Sequence, residues 1–423
     1  MEQREFGGSN MAKPSDNLFL HADGDAFFVA CELTKRPDLK GKPVIVGVDR
    51  GIAVAMSPEA KRLGVTRGMP VFQIKKLCPS VVILPHHFDL YRDISERMHE
   101  ILFSYAKRVE VYSIDECFAL VTPPEIKYFS TPEKFMSELK REIEGSLGVT
   151  YSLGLARTKT LAKQASKLEK PAGVVMLLDK VDETRALKKT PIEDIWGIGR
   201  QTIPKLARLG MKTAYDFVKF DPSLTLPKGE GTTPLPLEGV RGRSARFSRP
   251  LFELQRELSG ESIWDVEDNI DPRDQKSIQC TETFRPASTD PKIIWKELAK
   301  NAEGACEEAR ALRLLSNKVS YFVKSSEFKY RTAEVKLPFY TSDPGLVLSA
   351  IEPNFPRLLK KNERIRSTGV ILHNLIREEK APRDLFGAQD KALKRTRVEE
   401  VADQIREKYG HDTIKKAASL KKK

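Results

Sequence analysis

"YSIDECFAL", residues 112–120, sets two carboxylates, Asp115 and Glu116, side by side in an apolar run. The flanking pieces "RVEVYSI" and "ECFALVT" read as two strands that meet at a corner at Asp115. Neighbours on a strand face opposite ways, but at a tight corner both side chains can reach one spot. Two readings follow. The acids end a strand and cap a turn, as acids commonly do, or they belong to a charged site.

"HADGDAFF", residues 21–28, poses the same choice. Asp23 closes an apolar strand and Asp25 follows two residues later. Carboxylates gathered in one place repel each other unless a cation joins them. Oxygen ligands without His or Cys favour Mg²⁺ over zinc. Two such ions about 4 Å apart are suited to in-line phosphoryl transfer.

The surrounding pattern is α+β. "KPVIVGV" (42–48) and "GIAVAM" (51–56) read as strands, and Ser57 with Pro58 signals a helix start. Leu90, Ile94, Met98, Ile101 and Leu102 have helical spacing over 86–106. Residues 131–148 make a helix between a Thr cap and a terminal Gly. A strand over 149–156, a helix over 158–170 and a strand over 172–178 complete a sheet domain of ferredoxin-like character. Residues of roughly 28–85 are inserted after its first strand. Residues 221–247, rich in Pro, Gly and Thr, read as a loop. A second α+β domain spans 275–378, with helices over 291–313 and 344–360. A polar tail with a helical stretch over 397–408 follows.

With 423 residues the chain is too long for one core. Its composition, 40% hydrophobic and 31% charged, is that of a soluble globular protein. No apolar run reaches the roughly 18 residues of a membrane span, so no membrane partner is expected. Residues 1–16 lack the apolar core of a signal peptide and are expected to be disordered. Five scattered cysteines without a C-x-x-C fit reduced thiols of a cytoplasmic protein. The net charge is +13, of which residues 271–423 contribute +10. Such a basic half suits a nucleic-acid partner, or else only aids solubility.

Two further motifs bear on that choice. "SLGLARTKTLAKQASKLEKPAGV" (152–174) puts Arg157, Lys159, Lys163 and Lys167 at and beyond a helix start. The four-residue step aligns the lysines on one face, either near a phosphate at the helix N-terminus or as a solvated basic surface. "IEDIWGIGRQTIPKLARLG" (192–210) sets Gly197 and Gly199 between two helix-like pieces, the layout of a helix-hairpin-helix. There a tight Gly turn brings backbone N–H groups to a DNA phosphate, with Arg200 and Lys205 beside it.

Taken in order, "FLHADGDAFFVACE" (19–32), "YSIDECF" (112–118), the lysine helix, "WGIGRQTIPKLARLGMKT" (196–213) and "KSIQCTETF" (276–284) resemble a Y-family translesion DNA polymerase. The likeness is to the bacterial DNA polymerase IV and polymerase V catalytic-subunit kind, and runs over about residues 17–380. The resemblance implies a right-hand polymerase: α+β multidomain, with a ferredoxin-like palm at 17–27 and 85–182 and small fingers at 28–84. It also implies a helical thumb at 183–255, an acidic linker at 256–274, an α+β little finger at 275–380 and a basic tail at 381–423.

It further implies primer-template DNA and a dNTP as partners, two Mg²⁺ ions as cofactors, and a monomer. Asp23, Asp115 and Glu116 fall on the family's catalytic metal ligands, with the Gly24 carbonyl completing the set. Phe28 falls on the steric gate that excludes a ribose 2′-OH, with Phe27 beside it at the nucleotide. Lys159 and Lys61 fall on the triphosphate-binding positions. Pro58 stands where many members have Tyr, Lys61 replaces an Arg and so loses its bidentate fork, and Thr158 replaces a frequent Asn. "APRDLFG" (381–387) keeps part of a sliding-clamp peptide without its leading Gln. Leu385 and Phe386 suit either clamp anchors or residues packed on the little finger. A non-catalytic scaffold relative and a two-metal nuclease are the competing readings. The retained acids and Phe28 weigh against the first, and the aromatic gate and lysine helix against the second.

Overall fold

Alternation along "LFLHADG" sends Leu18, Leu20 and Ala22 to one side of a strand and Phe19, His21 and Asp23 to the other. All of them are buried. The computed structural model describes residues 17–48, 51–221, 247–267, 272–382, 388–410 and 413–414. The expectations for residues 1–16, for the Pro/Gly-rich stretch 223–240 and for Leu385 and Phe386 lie outside the described residues.

The buried strand is β1 (Leu18–Gly24), followed by α1 (Phe27–Lys35). A small module comes next: β2 (Val44–Val46), β3 (Ala55–Met56), α2 (Pro58–Arg62), α3 (Val71–Leu77) and β4 (Val82–Leu84). β2 pairs antiparallel with β3 and parallel with β4, over a core of its own around Ile45, Val65 and Ile74. Ser57 caps α2, its hydroxyl accepting from the Ala60 N–H at 3.2 Å.

The chain then returns through α4 (Phe88–Tyr105), β5 (Arg108–Val111), β6 (Glu116–Val121), α5 (Pro123–Phe129), α6 (Pro132–Leu147), β7 (Tyr151–Ala156), α7 (Lys159–Leu168) and β8 (Val174–Leu177). The sheet order is β5-β6-β1-β7-β8. Each adjacent pair among its first four strands is antiparallel, the βαββαβ arrangement of a ferredoxin-like fold. α7 then crosses over to lay β8 parallel to β7. Leu20, Ala22, Cys117 and Ala119 face α4 and α6, against Met98, Phe135 and Leu139. Phe19, Phe118 and Leu120 face the opposite side, against Leu161, Ala162 and Ala165 of α7.

α7 touches this second face unusually closely. A Cβ on Gly154 of β7 would lie 2.1 Å from the Ala162 carbonyl oxygen and 2.5 Å from the Ser166 nitrogen. Only a glycine leaves room for the helix backbone there. Residues 159–166 are consequently all buried, which overturns the reading of a solvated basic face for Lys159 and Lys163, while Lys167 stays exposed. The other side of α7 packs on α8 (Lys180–Lys189) and α11 (Arg249–Leu258), and α9 (Ile203–Arg208) and α10 (Ala214–Lys219) join the same core through Leu206 and Phe217 beside Leu187 and Leu254.

Two sequence expectations change here. The piece ahead of Gly197 is one turn of 3₁₀ helix, Ile192–Asp194, closed by the Asp194 N–H donating to the Pro191 carbonyl at 3.0 Å. The helix-hairpin-helix therefore has a reduced first arm. The acidic stretch within 256–274 is not a slack linker: α11 runs to Leu258, and residues 261–267 are strapped to the sheet domain. Buried Glu257 accepts from the N–H groups of Ile263 and Trp264 at 2.6 and 2.8 Å. Arg108 donates to Asp265 and to the Val266 carbonyl, and the Glu267 N–H donates to Glu110.

The chain divides into units 1–269 and 270–423. The second contains β9 (Ser277–Ser288), α12 (Pro291–Ala311), β10 (Leu314–Ser325), β11 (Tyr330–Thr341), α13 (Pro344–Ile351), β12 (Ile365–His373), β13 (Ile376–Arg377) and α14 (Ala388–Tyr409). This βαββαβ string matches that of the first unit, yet its order is β11-β10-β12-β9, with the first strand at an edge. α13 stops at Ile351, short of the expected 360, where a turn and a 3₁₀ segment, Phe355–Leu358, take over. α14 is anchored by buried Arg310, which donates to Asp403 at 2.5 and 3.1 Å.

The close approach at Gly154 is testable by urea denaturation. Gly154→Ala is expected to cost about 1–3 kcal/mol through overpacking. Gly199→Ala, whose Cβ would meet nothing within 4 Å, is expected to stay within about 0.5 kcal/mol of the parent.

Candidate active site

Asp23 and Glu116 are partners across β1 and β6, so both side chains emerge on the face that α7 covers. Asp115 sits in the corner between β5 and β6. The Tyr112 and Ser113 N–H groups donate back to the Glu116 carbonyl at 3.1 and 3.0 Å and close that corner. The Gly24 N–H donates to the Asp115 carbonyl at 2.9 Å, which ties the corner to the end of β1. Three acids from two sequence blocks therefore lie at one end of the sheet.

Their electrostatics show how close they are. Burial lifts the Asp23 carboxyl from its ordinary range to about 6; Lys170 opposes the rise, while Glu116 and Asp115 add to it. Each acid has a partner: Lys170 lies 2.5 Å from Asp23 Oδ1, Lys163 lies 2.7 Å from Glu116 Oε2, and the Ser113 hydroxyl donates to Asp115 Oδ1 at 2.5 Å. As these side chains stand, no group of three or more His, Cys, Asp or Glu among the described residues could hold a metal ion. The donors are nevertheless all carboxylates, the set a hard divalent cation takes, and an ammonium already stands as countercharge against Asp23.

Asp25 does not join this set. Its Oδ1 accepts from the Ser152 hydroxyl at 2.7 Å and its Oδ2 from the Ala172 N–H at 2.8 Å. It thereby fastens the turn that carries Lys170. Lys170 is the residue the sequence reading passed over, although "EKPAG" with its Pro and Gly marks a turn.

Lys159 is placed elsewhere. It is 5% exposed, and its ammonium lies 2.5 Å from Glu110 Oε2 and 3.3 Å from the Asp265 carbonyl. The triphosphate role expected of it does not match this setting, because the charge is already spent on a buried glutamate. Thr158, the replacement for Asn, caps α7 through the Leu161 N–H and donates to the Glu257 carbonyl. Lys61 is exposed on α2.

Phe28 lies half-buried between the core of the sheet domain and the cluster that Val29 and Leu39 form with Val44, Val46 and Leu84 of the small module. Its ring stacks on Tyr91 at 4.5 Å and meets the edge of Phe88 at 6.0 Å. Tyr91 is held in turn by its hydroxyl on Glu32 at 2.5 Å. Phe27 is buried, its ring against Tyr151, so its side chain serves the core and not a nucleotide. Gly197, Gly199, Arg200 and Lys205 are all exposed. Gly197 has φ of +91°, which a side chain would strain.

The model of the impB/mucB/samB family matches residues 22–167, and that of its C-terminal domain matches 275–385. DNA polymerase IV of Desulfatibacillum aliphaticivorans is 31% identical over 96% of this chain and 97% of its own length. The chain belongs to this family, the Y-family translesion DNA polymerases. The UmuC protein of Salmonella typhimurium is 30% identical over 94% of this chain and 92% of its own, so the polymerase IV and UmuC relatives match about equally. A Y-family DNA polymerase chimera of known structure shares the fold, with a TM-score of 0.66 at 22% identity over 85% of this chain and 99% of that one. The right-hand polymerase fold inferred from the motifs is thus the fold observed.

The setting of Lys159 has a direct test. Lys159→Met is expected to destabilise the protein by about 3 kcal/mol or more in urea denaturation, because it strands Glu110. Glu110→Gln combined with Lys159→Met is expected to recover most of that loss. A lysine facing a solvated phosphate site would show neither effect.

Proposed function

We propose that this chain extends a primer 3′-OH on a DNA template by in-line nucleotidyl transfer from a dNTP, and that it is an error-prone enzyme of translesion type. The observation that carries the reading is the meeting of Asp23, Asp115 and Glu116 at one end of the sheet, in a member of the Y family. In this reading the ferredoxin-like sheet domain is the palm, the small module the fingers, the α8–α11 layer the thumb and the second unit the little finger.

Asp23, Asp115, Glu116 and the Gly24 carbonyl would hold two Mg²⁺ ions. When bound, these ions supply Lewis-acid activation of the attacking hydroxyl and stabilise the leaving pyrophosphate. Lys170, at 2.5 Å from Asp23, supplies the cation beside the triphosphate that the sequence reading assigned to Lys159. Lys61 adds a second charge from the fingers. Asp25 holds the Lys170 turn in place through Ala172. Phe28, backed by Tyr91, excludes a ribose 2′-OH by contact. The exposed hairpin with Gly197, Gly199, Arg200 and Lys205 takes a DNA phosphate without reading sequence. Binding through phosphates makes DNA affinity fall steeply with salt. The three retained acids argue against a scaffold role.

Primer extension with Mg²⁺ and dNTPs tests this reading. The parent is expected to extend, and Asp115→Ala/Glu116→Ala to lose at least about 10²-fold in rate. Equal extension by both would remove the metal assignment. Phe28→Ala is expected to incorporate ribonucleotides with little loss of deoxynucleotide incorporation. Unchanged sugar selectivity would remove the gate assignment.

A further inference from the structure

Lys163 is the one lysine of α7 that reaches the carboxylate cluster. It is 5% exposed, and its ammonium lies 2.7 Å from Glu116 Oε2. Aromatic rings wall it in: Tyr112 at 4.4 Å, Trp196 at 5.1 Å and Phe118 at 5.7 Å from ring centre to ammonium. A cation in such surroundings is held by the ring faces as well as by its ion pair, and gains more from them when desolvated.

The walls come from three separate parts of the first unit. Tyr112 belongs to the corner that carries Asp115. Phe118 lies two residues beyond Glu116 on β6, on the same face. Trp196 directly precedes Gly197 of the exposed hairpin, and its indole N–H donates to the Tyr112 hydroxyl at 3.2 Å. Trp264 of the acidic strap packs its ring 5.9 Å behind Trp196. The backbone approach at Gly154 sets the depth at which α7 delivers the lysine.

We infer that Lys163 is a positioning residue for the polymerase reaction: it grips Oε2 of Glu116, so that the carboxylate presents its other oxygen to the reacting groups, and the cage of Tyr112, Phe118 and Trp196 keeps the lysine from following substrate. This rests on the proposed function, in which Glu116 serves catalysis. The glycine hairpin is thereby joined to the carboxylate through a single indole, and Trp196 transmits its placement.

The inference makes a prediction of opposite signs. Lys163→Met removes a positive charge beside Glu116 and also loosens the carboxylate. kcat for single-nucleotide extension is expected to fall about 10- to 100-fold, as a misplaced catalytic group costs, with dNTP KM and primer-template Kd within twofold of the parent. Binding of Mn²⁺ to the DNA-free protein, read by electron paramagnetic resonance, is expected to tighten about three- to tenfold, because a cation that repels the ion is gone. A merely structural role would weaken Mn²⁺ binding and DNA binding together with kcat. That result, or a kcat within twofold of the parent, would overturn the inference.

Trp196→Leu leaves the ion pair intact and guards against misfolding of the first variant. Its kcat is expected to drop about three- to tenfold at unchanged DNA affinity. Full kcat in Trp196→Leu beside a misfolded Lys163→Met would also overturn the inference. If the parent itself extends no primer, the proposed function fails, while the Mn²⁺ measurement still reports whether Lys163 repels an ion at Glu116.

Discussion

Burying α7 on the sheet is the constraint from which the rest of the first unit follows. The helix lies so close to β7 that its backbone occupies the space a Cβ at Gly154 would need. It carries two lysines into the interior, which is costly unless each meets an opposite charge. Glu110 and Glu116, on adjacent strands, meet Lys159 and Lys163 respectively. Glu110 pairs with Phe118 across β5 and β6, so the two acids stand diagonally, two residues out of register, and the four-residue step of the lysines reaches both. Once the pairs form, the register of helix on sheet is set, and with it the place of Glu116 at the acid cluster.

The same interlocking explains the acidic strap. Glu110 accepts from Lys159 and also from the Glu267 N–H, while Glu257 accepts from three backbone N–H groups: Thr160, Ile263 and Trp264. A carboxylate that accepts several N–H donors tolerates burial well. What the composition presented as a polar connector is therefore a satisfied hydrogen-bonding surface, and the aromatic Trp264 closes it over the hairpin tryptophan. The acids at the corner are held by charges already paired in the interior, so in the proposed reaction little reorganisation is left.

The carboxylates themselves illustrate how far residue patterns reach. The corner at Asp115, the strand end at Asp23 and the caps at Ser57 and Thr131 each rest on contacts within a few residues, and local rules recover such features. The partition of the lysines was not legible, because an i, i+4 row looks the same whether it faces solvent, phosphate or buried glutamates. Lys170 stayed hidden for a related reason: its proximity to Asp23 depends on a turn fastened by Asp25 from almost 150 residues earlier. Phe27 and Phe28 are adjacent and alike in type, yet one fills the core and the other backs onto Tyr91.

By itself, the sequence determined the elements, the two α+β units, the corner acids and, through the ordered motifs, the polymerase family, because these depend on local periodicity and on short blocks of fixed spacing. Tertiary structure alone decided the strand order. Both units use the string βαββαβ, but one places its first strand at the centre of the sheet and the other at an edge. It also decided which lysine reaches which acid and what becomes of the acidic connector. Those outcomes depend on pairings between residues far apart in the chain, where the free energy of burying a charge is settled by whichever partner the fold brings within reach.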